Sequence, residues 1–141
     1  MQTFIMKKEL IKNRWYLYSA ENKILGRFAT KLAHILKGKN NIKYTPHVNM
    51  GNYIIVINAA KIKVSGKKLK DKFYYRHTGY HGGIKKINLE DMLKKSPEKV
   101  IYYAVKGMLP KGPLGRLMLK KLKIFSGNTH THFAQKPRIL N

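Results

Sequence analysis

Two short stretches hold the groups best suited to chemistry. Residues 74–83 run Tyr-Tyr-Arg-His-Thr-Gly-Tyr-His-Gly-Gly, and residues 106–116 run Lys-Gly-Met-Leu-Pro-Lys-Gly-Pro-Leu-Gly-Arg. Both mix cations with aromatic or flexible apolar groups, both carry Gly, and neither holds a carboxylate. Cations attract phosphate, rings stack on bases, and glycines let a backbone approach a partner closely. The composition suits a rigid loop pressed against phosphates and bases better than a pocket that moves protons. Arg76, His77 and Tyr80 are the candidates in the first stretch, with Lys85 and Lys86 extending its basic edge. Lys106, Lys111 and Arg116 are those in the second, with Lys120 and Lys121 just beyond. Tyr74 and Tyr75 alternate across a strand, so one of them is expected in the core.

Enzymatic readings of the same residues are weaker. Gly107 to Gly112 has the spacing at which a phosphate-binding loop begins, but Lys and Ser or Thr should follow, and Pro113 and Leu114 stand there instead. Pro113 also removes a backbone donor that a phosphate cradle would use. His130 with His132, or His77 with His81, could ligate a metal, yet neither pair has a neighbouring Cys, Asp or Glu to complete a usual set. A two-metal nuclease needs clustered carboxylates. The six acids are Glu9, Glu21, Asp71, Glu90, Asp91 and Glu98. Only Glu90 and Asp91 adjoin, and consecutive residues on a helix point apart. A metal-free nuclease using His77, His81 and a lysine stays open on the residues alone. No cofactor or small-molecule substrate is expected.

Charge over the whole chain points the same way. Thirty Lys and Arg face six Asp and Glu, for a net charge of +24. Residues 1–52, 53–87 and 88–141 each net +8, so the charge is no basic tail on a neutral domain. Solubility in a small domain needs a net charge of only about 2–8. A surface this basic repels itself in isolation and is best accommodated among many phosphates, as in a ribonucleoprotein. Lysines outnumber arginines 25 to 5, which fits recognition of backbone and shape but is explained equally well by a compositional bias of the coding genome towards Lys, Asn and Ile. The absence of Cys rules out disulfides and Cys-containing zinc sites. The first residues lack a signal-peptide pattern and the longest apolar run, 53–57, is far too short to span a bilayer, so a soluble intracellular protein without a membrane partner is expected.

These groups need a scaffold, and 141 residues with 43% hydrophobic content suffice for one domain with a core. Residues 1–14 read as a basic extension, 15–127 as a single RNA-binding α/β domain, and 128–141 as a tail that becomes ordered on RNA. The aromatic run 15–18 predicts a strand. Leu25, Ala29, Leu32 and Leu36, flanked by Phe28 and Ile35, predict an amphipathic helix ended by Gly38. The apolar stretch 53–58, rich in β-branched residues, predicts a strand covered on both faces, and strand–helix–strand implies a right-handed parallel crossover. A charge run at 67–72 precedes a predicted strand at 73–76. Asn88 and Ser96-Pro97 mark two helix starts. The second helix should bury Val100, Ile101, Ala104, Val105 and Met108, and a third should run through Leu114, Leu117, Met118 and Leu122.

At this point the chain resembles a known family, the bacterial-type large-subunit ribosomal protein L-thirteen family. The matching stretches include Trp15-Tyr16, Leu25-Gly26-Arg27, Gly38-Lys39, Tyr44-Thr45-Pro46-His47, Gly66-Lys67-Lys68, Tyr74 to His77 with Gly79-Tyr80 and Gly82-Gly83, Ala104 to Pro110, Leu114-Gly115-Arg116, Leu119-Lys120 and Ala134-Gln135. They follow family order from about residue 15 to 137. His81 departs from the family, which commonly has proline there. The resemblance implies a three-layer α/β/α fold around a mostly parallel four-stranded sheet. It also implies a non-enzymatic constituent of the large ribosomal subunit that binds 23S-type rRNA, joins early in assembly and meets neighbouring large-subunit proteins. The lack of an evident transit peptide favours a bacterial cytoplasm over an organelle, although an organelle-encoded copy would lack one too. On the matching stretches and the cations flanking them, the RNA-contact set gains Arg27, Lys37, Lys39, Lys43, His47, Lys67, Lys68 and Lys70. The alternative is an RNA-binding regulator acting off the ribosome on a messenger.

Overall fold

The computed structural model describes residues 3–140; Met1 and Gln2 of the expected N-terminal extension and Asn141 of the expected tail lie outside the described residues. Two apolar runs form the centre of the sheet. Trp15–Ser19 (β1) and Tyr53–Ile57 (β2) pair in parallel, with Trp15 opposite Tyr53 and Ser19 opposite Ile57. Between them runs the helix Leu25–Lys37 (α1), which buries Leu25, Phe28, Ala29, Leu32, Ala33, Ile35 and Leu36. That set is the expected apolar stripe, and Arg27, Lys31 and His34 stay outside. Gly38 ends α1 in the left-handed region at φ 77°, and a Cβ there would press on the backbone of Met50 at 3.1 Å, so only glycine fits without strain.

A basic strip follows. Residues 67–72, expected as a bare charge run, include the short helix Lys68–Asp71 (α2). Phe73–His77 (β3) and Ile84–Asn88 (β4) then form an antiparallel hairpin separate from the main sheet. The sequence predicted the first of these strands but not its partner. Leu89–Lys95 (α3), Pro97–Met108 (α4) and Pro113–Lys120 (α5) come next. Asn88 and Ser96 do sit at the N-cap positions of α3 and α4, but neither side chain caps its helix. Val100, Ile101 and Val105 are fully buried, whereas Met108, at the last position of α4, is exposed and lies 3.6 Å from the Thr30 hydroxyl. Leu117 is exposed as well, and Leu122 belongs to the strand Leu122–Ile124 (β5), not to the helix.

The main sheet has the order β5-β2-β1-β6, with every pairing parallel, and helices surround it in the α/β/α manner expected. Its last strand is Arg138–Leu140 (β6), which pairs with β1. The end of the segment read as a tail is therefore a sheet edge. Strand alternation divides the core: Ile54 and Val56 join the cluster formed by α1, α4 and α5, while Ile55 is buried on the other face. On that second face the Trp15 ring stacks on Tyr53 at 4.3 Å and lies 5.3 Å from His132.

Candidate nucleic-acid interface

The link between α4 and α5 sets the geometry of the basic surface. Gly115, in the first turn of α5, passes so close to the Pro110 carbonyl that any Cβ would collide with that oxygen. The close approach brings the start of α5 beside the end of α4 and leaves a groove of about 890 Å³ between the helices. Lys106, Lys111, Arg116 and Lys120 line it, joined by Lys123 of β5 and by the rings of Tyr102 and Tyr103. Arg116 and Lys120 fall four residues apart and so share one side of α5.

A second concavity of about 490 Å³ adjoins this one. Arg76, Lys85 and Lys86 of the β3–β4 hairpin line it with Lys99 and Tyr103 of α4. Tyr103 belongs to both hollows, and its ring lies 5.8 Å from those of Tyr74 and Tyr102. The two hollows thus form one surface of cations and aromatic rings, and no Asp or Glu lines either part. Tyr74 anchors the hairpin to the core, and its hydroxyl is held above the usual tyrosine range by burial, with Tyr103 adding to the shift. Cations arranged in this way around open rings suit a polyanion that carries flat bases.

Seven of the residues selected from sequence meet on this surface: Arg76, Lys85, Lys86, Lys106, Lys111, Arg116 and Lys120. His77 and Tyr80 line neither hollow and lie at the tip of the hairpin. His77 Nδ1 accepts a hydrogen bond from the Gly79 N–H at 2.9 Å, which fixes the ring in the turn, and Tyr80 is 80% exposed. The other candidates lie elsewhere. Lys67 and Lys68 border a groove beside the start of α1, and Lys70 is exposed on α2. Arg27 shares a small pocket with Lys23 and Lys31. Lys37, Lys39, Lys43 and His47 follow the far end of α1 and its loop, where Lys43 Nζ lies 5.7 Å from the ring of Phe4.

Lys121 does not belong to the surface. It is 6% exposed, and its ammonium donates to Gly51 O at 2.6 Å and, at 3.4 Å, to Asn49 O and Asn13 Oδ1. The same Nζ lies 5.4 Å from the Tyr53 ring. Burial lowers its pKa below the usual lysine value. It ties the N-terminal segment and the loop before β2 to the end of α5, so its role is structural. The histidines near the C-terminus are likewise occupied by the chain itself: His130 stacks on Phe133 at 4.7 Å, and its Nδ1 accepts from the His132 N–H. Tyr102, Tyr103, Lys99 and Lys123 are site residues that sequence reasoning passed over. The spacing of 99, 103 and 106 along one helix face was the available signal.

The parallel α/β sheet and the carboxylate-free lining of cations and rings define a class, the small basic α/β proteins. Residues 13–131 match the family model described as Ribosomal protein L13. The chain is 67% identical over 140 residues to the large ribosomal subunit protein uL13 of Wigglesworthia glossinidia brevipalpis, covering 99% of each chain. It is 60% identical over 141 residues to the protein of that name from Hamiltonella defensa subsp. Acyrthosiphon pisum (strain 5AT), covering 100% of this chain and 99% of the relative. The corresponding protein of Buchnera aphidicola subsp. Baizongia pistaciae (strain Bp) is 57% identical over 141 residues. The chain belongs to the ribosomal protein L13 family.

Proposed function

We propose that this chain is a structural constituent of the large ribosomal subunit that binds large-subunit rRNA and supports early subunit assembly without catalysis. The observation that carries the reading is the continuous surface from Arg76 to Lys120, where cations converge around Tyr102 and Tyr103 with no carboxylate in the lining. The ribosomal role of its relatives supports it, since they are named as large ribosomal subunit proteins.

The mechanism is electrostatic clamping. Lysines displace condensed counterions from converging RNA segments, and the release drives binding. Arg76, His77, Tyr80 and Arg116 set the register by stacking and hydrogen bonding. Residues 15–127, completed at the sheet edge by β6, act as one RNA-binding domain, and the stretch from 128 up to β6 becomes ordered on RNA. Its place is the ribosome of a bacterial cytoplasm.

Sedimentation of the tagged chain from a cell lysate tests the reading, with a repeat in high salt. Comigration with the large subunit and its precursors, and not with the small subunit, is expected. A peak confined to light fractions under both conditions would contradict the ribosomal role and favour a free RNA-binding regulator of a messenger.

A further inference from the structure

The hairpin has two faces, and Tyr75 and Lys86 at the edge of the second also border the smaller hollow described above. Directly opposed residues of an antiparallel pair share a face, so Tyr74 with Ile87 and Arg76 with Lys85 point one way. Phe73 with Asn88, Tyr75 with Lys86 and His77 with Ile84 point the other way. The first face packs Tyr74 against the core. The second is left open: Phe73 is 39% exposed, Tyr75 69% and Ile84 67%. Its two rings lie 6.5 Å apart, and Lys86 Nζ sits 5.4 Å from the Phe73 ring. Two apolar rings at alternate positions of one strand, with the His77 imidazole next in line and a lysine beside them, form a row of flat surfaces in a positive field.

Charge selects the occupant. From Lys72 through Leu89 there are four cations, two histidines and no carboxylate. Bare rings gain most from another π face, which a paired base inside a duplex does not offer and an unpaired base does. We propose that the outer face of the hairpin is a stacking platform for unpaired bases, so that Phe73 and Tyr75 take successive nucleotides of a single-stranded RNA segment. Lys86 then neutralises the adjacent phosphate, and the Gly79–Gly83 turn lets the strand pass the tip closely. The inference rests on the RNA-binding reading and adds to it the class of RNA bound here, a bulge, loop or end rather than a helix.

The test uses the full-length chain with two fluorescently labelled probes, a single-stranded RNA of ten nucleotides and a hairpin duplex of equal charge. Tyr75→Ala and Phe73→Ala are each expected to lower single-strand affinity about tenfold to a hundredfold, the range set by loss of one base–ring stack. Duplex affinity should stay within about twofold, and Tyr75→Phe, which keeps the ring, should restore single-strand binding. Circular dichroism of each variant checks that the hairpin still folds. Unchanged single-strand affinity in both alanine variants, or equal losses on both probes, would overturn the platform and leave the face to a protein neighbour. Failure of the wild-type chain to bind either probe would instead contradict RNA binding as a whole.

Discussion

Lys120 and Lys121 are adjacent and chemically identical, yet Lys120 is exposed and Lys121 buried, and substituting each by Met separates them. Lys121→Met removes a buried ammonium that donates to Gly51 O at 2.6 Å and reaches Asn49 O and Asn13 Oδ1 at 3.4 Å. Met fills much of the same volume, so the main cost is the loss of a short charge-assisted hydrogen bond and the carbonyls left without a donor. Such a bond contributes about 1.5–3 kcal/mol, and an unsatisfied buried acceptor costs about 1–3 kcal/mol. Relief of the desolvated charge offsets part of that. A net loss of about 2–4 kcal/mol follows, which at this chain length lowers Tm by about 5–15 °C. Lys120→Met should leave stability within about 0.5 kcal/mol, because the side chain is exposed. In RNA titrations the order reverses: Lys120→Met should flatten the log–log salt dependence by about 0.9 units, the effect of one phosphate contact, and Lys121→Met should not.

The pH dependence of the same pair adds a second readout. Burial depresses the folded-state pKa of Lys121, so the folded protein releases this proton before the unfolded chain does. Between that lowered value and the usual lysine value of 10.5, the unfolded state binds more protons and stability from this group rises with pH. Below the folded pKa the cost of burying the charge is fully present. Subtracting the Lys121→Met profile from that of the wild type should isolate this rise. Thermal melts across pH and salt titrations on one RNA are the two assays. Equal stability of the two variants, together with equal changes in salt slope, would refute the buried placement of Lys121.

Further consequences concern the groove and the sheet edge. Gly115→Ala forces α5 away from the Pro110 carbonyl, so melting should show a loss of about 1–3 kcal/mol, and RNA affinity should fall although no cation is removed. Gly38→Ala strains a left-handed residue packed on Met50 and should cost about 1–2 kcal/mol in denaturant titrations, with RNA affinity per folded molecule unchanged. Deleting residues 137–141 removes β6 and opens the edge of β1, which should cost about 1–3 kcal/mol and raise the tendency to associate, read by melting and by light scattering.

The elements carried by strong local patterns were legible in the sequence. α1 shows an uninterrupted apolar stripe, β2 is continuously apolar and rich in β-branched residues, and Gly38 stops the helix where expected. β6 was not legible, because three residues beginning with an arginine carry no strand pattern of their own; the edge of β1 supplies the hydrogen bonds. β4 was hidden for a similar reason, since Ile84 to Asn88 alternates weakly and is read as a strand only beside β3. The cations of the site were visible from composition and spacing, but their grouping depends on the Gly115–Pro110 contact, which no local rule contains. Lys121 misled because a lysine beside a lysine reads as surface. Its partners lie at positions 13, 49 and 51, and only the fold brings them there. Tyr102 and Tyr103 fall between the buried positions of α4, and only the fold, in which Tyr103 joins the two hollows, places them on this surface.

The most direct test of the central claim is the salt dependence of binding to naked large-subunit rRNA fragments. Wild type would be compared with a chain in which Lys106, Lys111, Arg116 and Lys120 are all alanine, from about 50 to 200 mM salt. The log–log slope should become shallower by about three to four units, with the fold intact by circular dichroism and the affinity loss greatest at low salt. An unchanged slope and affinity in the folded quadruple variant would contradict the account and place the RNA-binding surface elsewhere on the chain.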